Sequence, residues 1–144
     1  MRSFTLIELI IVIIIIGILA TFAMPAFMVT KEKALTKEAI VNLKLIAAAE
    51  KIWRMESATN AYRACQCLCA GIGATCCDNN PNGCNFQLRL TLTTQNWTYW
   101  VTAVVGPPST FIAYAQRQGG PYSACRYRIT QAQDNPVVAV GPCP

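Results

Sequence analysis

The residues best able to do chemistry in this chain are its cysteines. The 144 residues include 8 Cys and no His, so the commonest metal ligand and the commonest general base are both missing. Without histidine there is no Ser-His or Cys-His pair to activate a nucleophile, and haem attachment through a C-x2-C-H motif is excluded. We therefore expect no enzyme activity and no cofactor.

Most of the cysteines lie in one segment rich in Gly and Asn. The full set is Cys65, Cys67, Cys69, Cys76, Cys77, Cys84, Cys125 and Cys143. The C-x-C-x-C pattern followed by an adjacent pair differs from the paired C-x2-C spacing of zinc ribbons, which favours disulfides over a metal or iron–sulfur site. The spacing does not identify the pairs, although Cys76 and Cys77 are expected to bond to different partners.

An isolated acid, Glu8, stands at the start of the most apolar part of the chain. No residue from Leu9 to Thr30 is charged, and as a helix this stretch would be about 33 Å long, enough to cross a bilayer core of about 30 Å. A carboxylate beside lipid is costly, so a membrane protein keeps one only where it has a partner or a task. Because the segment offers no cation, we expect Glu8 to be idle in the monomer and to find its partner on another chain. The alternative is a single-pass membrane anchor in which Glu8 lies at the level of the lipid headgroups.

The segment 31–56 predicts an amphipathic continuation of the helix. It lacks Gly and Pro and is rich in Ala, Leu, Lys and Glu. Five apolar residues recur at alternating spacings of four and three: Val41, Leu45, Ala48, Ile52 and Met55. We expect this stripe to pack against the part of the chain that follows the helix, residues 57–144, which we call the head. A narrower stripe of Ile40, Leu43 and Ala47 is available for the head or for neighbouring helices.

The helix is predicted to bend or to lose hydrogen bonds between Gly17 and Pro25. Proline has no amide hydrogen, and its ring crowds the carbonyl four residues earlier. Glycine adds no side-chain restraint. A loosened stretch is tolerable where neighbouring chains surround the segment.

The remainder predicts a Cys-rich loop over 57–85 and an antiparallel sheet over 86–144. Alternating apolar residues predict three or four strands, and the quoted runs are "FQLRLTL", "WTYWVTAVV", "TFIAYAQR" and "ACRYRITQ". The sheet needs cover on its apolar face, and the amphipathic helix is the long element able to provide it. The fold class is therefore α+β, a long N-terminal helix packed on a small antiparallel sheet.

Two side-chain groups on the predicted strands invite a binding interpretation. Arg126 and Arg128 would share one face of a strand, which could suit DNA, but a solvated sheet face is the favoured interpretation and no specific nucleic acid is expected. Trp97, Tyr99 and Trp100 could suggest an electron path for a redox module, but they are interpreted as sheet packing.

The string "FTLIEL", from Phe4 to Leu9, resembles the start of type IV pilins and of the related pseudopilins of type II secretion. This resemblance implies that residues 1–3 are a short leader. A prepilin peptidase of the inner membrane would cut between Ser3 and Phe4, and Ser3 stands where the family usually has Gly. It also implies that Glu8, the fifth mature residue, neutralises the N-terminal amine of a neighbouring subunit.

Further features follow from the same resemblance. Gly17 and Pro25 match the helix-loosening residues of major pilins, and Cys143 pairing back to Cys125 resembles the C-terminal disulfide region of many of them. The implied fold is the pilin fold, with 4–30 as a transmembrane and filament-core helix.

The expected function is that of a major pilin. It would enter the inner membrane as a precursor and polymerise with identical subunits and the pilus assembly machinery into an extracellular filament. A type II secretion pseudopilin is the first alternative. However, such heads often carry an acidic calcium loop near the C-terminus, and after Asp78 the only acid here is Asp134. A membrane-tethered Cys-rich binding or redox module is the second alternative.

Overall fold

The chain forms a long helix followed by a small antiparallel sheet, as seen in a computed structural model that describes residues 5–66, 84–92, 95–104 and 108–144. The chain divides into two compact units, Met1–Ala34 and Leu35–Pro144. The helix α1 (Leu6–Glu56) has residues in both. The predicted α+β class is confirmed.

The first unit consists of the apolar part of α1. Among the described residues of this unit, every large apolar side chain is solvent-exposed, and Leu6 and Phe22 reach 77% and 75% exposure. A single chain therefore buries none of this surface, and the helix is held by its own backbone hydrogen bonds. An 18-residue window of α1 is apolar and long enough to cross a membrane by length and composition.

The second unit contains a five-stranded meander. Its strands lie in the order β1-β2-β3-β4-β5, and every neighbouring pair is antiparallel. The bounds are β1 (Cys65–Gln66), β2 (Trp97–Val104), β3 (Thr110–Arg117), β4 (Arg126–Thr130) and β5 (Val137–Val140). A short helix, α2 (Cys84–Leu88), lies between β1 and β2 in the chain.

Three of the predicted strands are confirmed, and one is wrong. The runs beginning "WTYW", "TFIA" and "ACRY" contain β2, β3 and β4. The run "FQLRLTL" does not form a strand, because its first residues belong to α2. Cys84, Leu88 and Leu92 are buried. Their spacing of four residues is typical of a helix, whereas the alternation of apolar residues in the same run is typical of a strand, so the sequence pattern is compatible with both.

Two strands were not anticipated. β1 lies inside the segment predicted to be loop, and β5 follows the last predicted strand. β1 has two residues, too few for a periodic pattern, and β5 is "VVAV", whose burial does not alternate. Neither carries the period-two signal that identifies a half-buried strand.

The core of the second unit lies between one face of the sheet and one face of α1. Its large members on the sheet include Trp97, Tyr99 and Phe111, each no more than 1% exposed. The helix contributes small and medium side chains to the same cluster: Ala39, Leu43, Ile46 and Ala47. Asn42 donates a hydrogen bond to the Tyr99 hydroxyl (2.9 Å), which ties the helix to β2.

The prediction of which helical stripe faces the sheet is wrong. Val41, Leu45, Ile52 and Met55 are 62%, 46%, 52% and 75% exposed, and Ala48 is exposed too. Leu43 and Ala47, from the narrower stripe, are in the core. The bulky aromatic side chains of the sheet leave room opposite them for small helical residues such as Ala39 and Ala47, so close packing selects that face.

Candidate assembly segment

Glu8 has a local partner at the start of α1. Thr5 precedes the first helical residue, and its backbone N–H and its hydroxyl both donate to Glu8 Oε2, at 3.0 and 2.8 Å. The Glu8 N–H points back to the Thr5 hydroxyl oxygen at 3.4 Å. This is the capping box, in which a Ser or Thr and a Glu three residues later satisfy N–H groups that the first helical turn leaves open.

The expectation that Glu8 is idle in the monomer is therefore wrong. The T-x-x-E spacing of Thr5 and Glu8 was the signal that could have shown this from the sequence. Thr5 is neutral, however, so the cap positions the carboxylate without neutralising its charge. The need for a cation remains, and the predicted cleavage point between Ser3 and Phe4 lies outside the described residues.

The predicted loosening residues lie within an unbroken helix of the single chain. α1 is assigned as helix through both Gly17 and Pro25. A methyl group placed at Gly17 would meet nothing within 4 Å, so no neighbouring atom in this chain requires glycine there. A loosened stretch between the two residues stays a prediction that concerns the assembled state.

Disulfides join two pairs of the cysteines. Cys65 is bonded to Cys84 and Cys125 to Cys143, with Cα–Cα distances of 5.0 and 5.1 Å. The first links β1 to α2, and the second links the start of β4 to the C-terminus. Cys67, Cys69, Cys76 and Cys77 lie outside the described residues.

The backbone also packs closely at the second disulfide. Gly141 has a φ of 78°, in the left-handed region that favours glycine. A Cβ at this position would overlap the carbonyl of Ala124, the residue before Cys125. Gly141 thus permits the turn that brings Cys143 to its partner.

A second carboxylate, Glu50, is completely buried under the head. Its Oε2 accepts a hydrogen bond from the Arg63 backbone N–H (3.0 Å), while Oε1 has no hydrogen-bond partner among the described residues. Burial raises the pKa of Glu50 to about 7, against the opposing effects of the Arg63 N–H and the Arg63 charge. The Arg63 guanidinium itself lies over the Trp53 ring, 4.8 Å from its centroid.

The outer face of the sheet carries the two predicted arginines. Arg126 and Arg128 flank the buried Tyr127, as the alternation predicted. Arg126 donates to Gln116 Oε1 (2.8 Å) and lies over Trp100, 5.1 Å from its centroid. These contacts hold Arg126 against the sheet. Within the described ranges, no group of three or more His, Cys, Asp or Glu side chains could hold a metal ion.

Comparisons with known proteins concern the N-terminal part of the chain. Residues 1–24 match the family model described as the prokaryotic N-terminal methylation motif. The Type IV major pilin protein PilA of Myxococcus xanthus (strain DK1622) is 50% identical over 50 residues, 35% of this chain. That match spans 23% of the relative's length. No solved structure matches.

These findings agree with the resemblance that starts at Phe4. The motif match covers Glu8 and Gly17 and ends at Met24, just before Pro25. The chain is therefore type IV pilin-like, with an N-terminal methylation motif and homology to a major pilin over about a third of its length.

Proposed function

We propose that this chain is the structural subunit of an extracellular type IV pilus, which it builds by polymerising through the apolar part of α1. The observation that carries the proposal is the exposed apolar part of α1, which follows Glu8 and starts inside the matched methylation motif. Surface of this kind requires lipid or other chains around it. Before assembly the segment 4–30 would anchor the chain in the inner membrane, and in the filament identical segments would surround one another.

The charge of Glu8 explains how the register of the polymer is set. Cleavage between Ser3 and Phe4 by a prepilin peptidase would create a new α-amine four residues before Glu8, and methylation would keep it cationic. Both Thr5 hydrogen bonds go to Oε2, which leaves Oε1 able to accept a bond from an ammonium group. A repeating array that places an amine beside each buried carboxylate removes the penalty of burying the charge.

The head favours a pilus over a secretion pseudopilus. Its C-terminal part is closed by the Cys125–Cys143 disulfide, as in many type IV pilins. Long surface filaments composed of this chain, seen in negative-stain images of sheared material, would support the pilus, and their absence would favour the pseudopilin.

The first prediction separates the charge of Glu8 from its capping role. Glu8→Gln retains the capping box, because Gln also serves at this position, but removes the charge. Thr5→Ala retains the charge and removes the cap, at a cost of about 1 kcal/mol of helix stability. We expect Glu8→Gln to lower the yield of sheared filaments at least about tenfold, which corresponds to about 1.4 kcal/mol, and Thr5→Ala to lower it much less.

The membrane-inserted pool of each variant serves as the control for expression and insertion, and intact mass shows whether assembled protein begins at Phe4. Filaments from Glu8→Gln at the wild-type level, with a loss in Thr5→Ala, would assign Glu8 to capping alone. Assembled protein that retains Met1 would remove the amine on which the pairing depends.

A further inference from the structure

The face of α1 that packs against the sheet ends in a carboxyl group. Leu43 and Ala47 are in the core on this face, and Glu50 follows about one turn later with no exposed surface. A buried carboxyl group needs hydrogen-bond partners for its oxygens. Oε2 has the Arg63 N–H at 3.0 Å, and Oε1 has no partner among the described residues. The head therefore buries an acid whose hydrogen bonds are incomplete.

The ionisable groups on the elements around Glu50 are exposed or have other partners. The charged side chains of α1 near Glu50 and of the residue after α2 are exposed: Lys51, Arg54, Glu56 and Arg89. On the core face of the sheet, Tyr99 is bonded to Asn42, Arg117 to the carbonyls of Asn96 and Gln118, and Tyr127 packs against Trp97. Cys65 and Cys84 are bonded to each other. The Arg63 charge acts on Glu50, but burial has the larger effect on its pKa.

The segment 57–64, which we call the flap, connects α1 to β1 and contacts Glu50. Its Asn60 N–H closes a turn on the Ser57 carbonyl at 3.1 Å. Further along, the Tyr62 N–H donates to Ser109 Oγ at 3.1 Å, and the Arg63 N–H donates to Glu50. Both of these acceptors are side chains, so residues 61–64 lie outside the sheet ladder that begins at β1. One of the two acceptors is a group that titrates.

We propose that the flap is a pH-dependent cover, which opens from Glu50 when this carboxyl group loses its proton. Ionisation leaves a charge with an unpaired oxygen inside the core, and opening at residues 61–64 admits water to it. Because burial raises the pKa of Glu50 to about 7, the change falls near neutral pH. Tyr62 packs edge-on against Phe111, 4.7 Å between ring centroids, and must leave it on opening. The open form is therefore a minority of the folded molecules.

Opening of the flap changes one wall of a cavity. Trp53 and Gln87 both line an open cavity of about 300 Å³ between α1 and residues 87–90. The Arg63 guanidinium lies over the Trp53 ring, and its Nε donates to Gln87. When the flap opens, Trp53 loses this cation from its ring face and Gln87 loses a donor. The proton on Glu50 thus controls the packing of the cavity wall, whether or not the chain polymerises.

Native-state hydrogen exchange of the solubilised full chain at pH 5 and pH 8 tests the flap. After correction for intrinsic exchange rates, we expect the protection factors of the Tyr62 and Arg63 amides to be at least about tenfold lower at pH 8. Their exchange should depend weakly on low concentrations of denaturant, because local opening exposes little surface. The Arg117 amide, bonded to the Cys125 carbonyl at 3.0 Å, should be better protected and depend steeply on denaturant.

Two matched substitutions identify the titrating group. Glu50→Gln should make the protection of the Tyr62 and Arg63 amides independent of pH, since the amide side chain carries no charge. Glu56→Gln, which replaces an exposed acid on the same helix, should leave the wild-type pH dependence. If Glu50→Gln does not fold, Ser109→Ala removes the other acceptor and should lower the protection of both amides by similar factors at the two pH values.

Three results would overturn the proposal. Exchange of the Tyr62 and Arg63 amides with the protection and denaturant dependence of the Arg117 amide would show that Glu50 acts through global unfolding. Protection that rises from pH 5 to pH 8 would show that ionised Glu50 draws Arg63 inward and closes the flap. A wild-type pH dependence in folded Glu50→Gln would assign the titration to another group.

Discussion

Glu8 and Glu50 are two carboxylates of the same helix, and they differ in burial and in the groups that donate hydrogen bonds to them. Glu8 is exposed in the single chain and is held by Thr5, so its charge is free to meet a cation when copies assemble. Glu50 is buried by the chain's own fold, with one hydrogen bond from the Arg63 N–H to a single oxygen. We therefore expect the first acid to matter for assembly and the second for the stability of the head.

The second prediction concerns stability against pH and follows from Glu50. Its pKa rises from 4.5 to about 7 on folding, so between these values the native state binds more protons than the unfolded state. Stability is therefore greatest below the unfolded pKa, falls as pH rises through this window and levels off above the folded pKa. After allowance for solvent screening, the free energy of unfolding falls by about 1–2 kcal/mol across this pH window.

Glu50→Gln removes this dependence, since the amide keeps an acceptor for Arg63 and carries no charge to bury. Denaturant unfolding of the solubilised full chain at pH 5 and pH 8 measures this pH dependence. The matched control is Glu56→Gln, which replaces an exposed acid on the same helix. An unchanged pH slope in Glu50→Gln would show that another group causes it.

At the scale of elements, α1 continues from an all-apolar segment into one with two apolar sides. Helical backbone bonds are satisfied within the helix in both parts, so the same secondary structure suits lipid, a filament core and a head. Gly17 and Pro25 are predicted to weaken α1 locally, and we expect such a weakness to have an effect only when force acts on an assembled polymer.

The third prediction tests this weakness with Gly17→Ala. No atom of the chain lies within 4 Å of the added methyl group, and alanine favours a helix by about 1 kcal/mol relative to glycine. We expect normal insertion and assembly, but filaments that extend at a higher force in single-filament pulling. Ile18→Ala, at the adjacent position, is the control. Equal extension forces for wild type and Gly17→Ala would assign no loosening role to Gly17.

At the scale of the whole molecule, disulfides and the sheet hold the head together. The two described bridges close loops of 19 and 18 residues, and bridges over loops of this size contribute about 3 kcal/mol each. β5 forms an edge of the sheet and carries exposed Val138 and Val140, so it contributes little core. The Cys125–Cys143 bridge therefore stabilises this edge more than its own side chains do.

The fourth prediction is that the double substitution Cys125→Ser and Cys143→Ser destabilises the head by about 2–4 kcal/mol. Limited proteolysis of the full chain should then cut near β5, while α1 keeps its helical circular dichroism because 5–56 contains no cysteine. Wild-type protease resistance in the double variant would show that the edge holds without the bridge.

The sequence by itself determined the elements whose signals are local. The long uncharged run predicted the helix, and strict alternation predicted β2, β3 and β4. The "FTLIEL" string predicted the pilin resemblance that the motif match bears out. Helix propensity and side-chain period act over a few residues, so a single sequence suffices to read them.

Tertiary structure decided what depends on distant residues. Two candidate stripes looked alike in sequence, and packing decided that the one with Leu43 and Ala47 faces the sheet, because the aromatic side chains of β2 and β3 leave room for small residues such as Ala47. It turned Cys84–Leu88 into a helix, since the bond to Cys65 and the burial of Leu88 outweigh a short alternation. Which apolar surface is buried in the head, and which stays exposed, is a property of packing that no local period encodes.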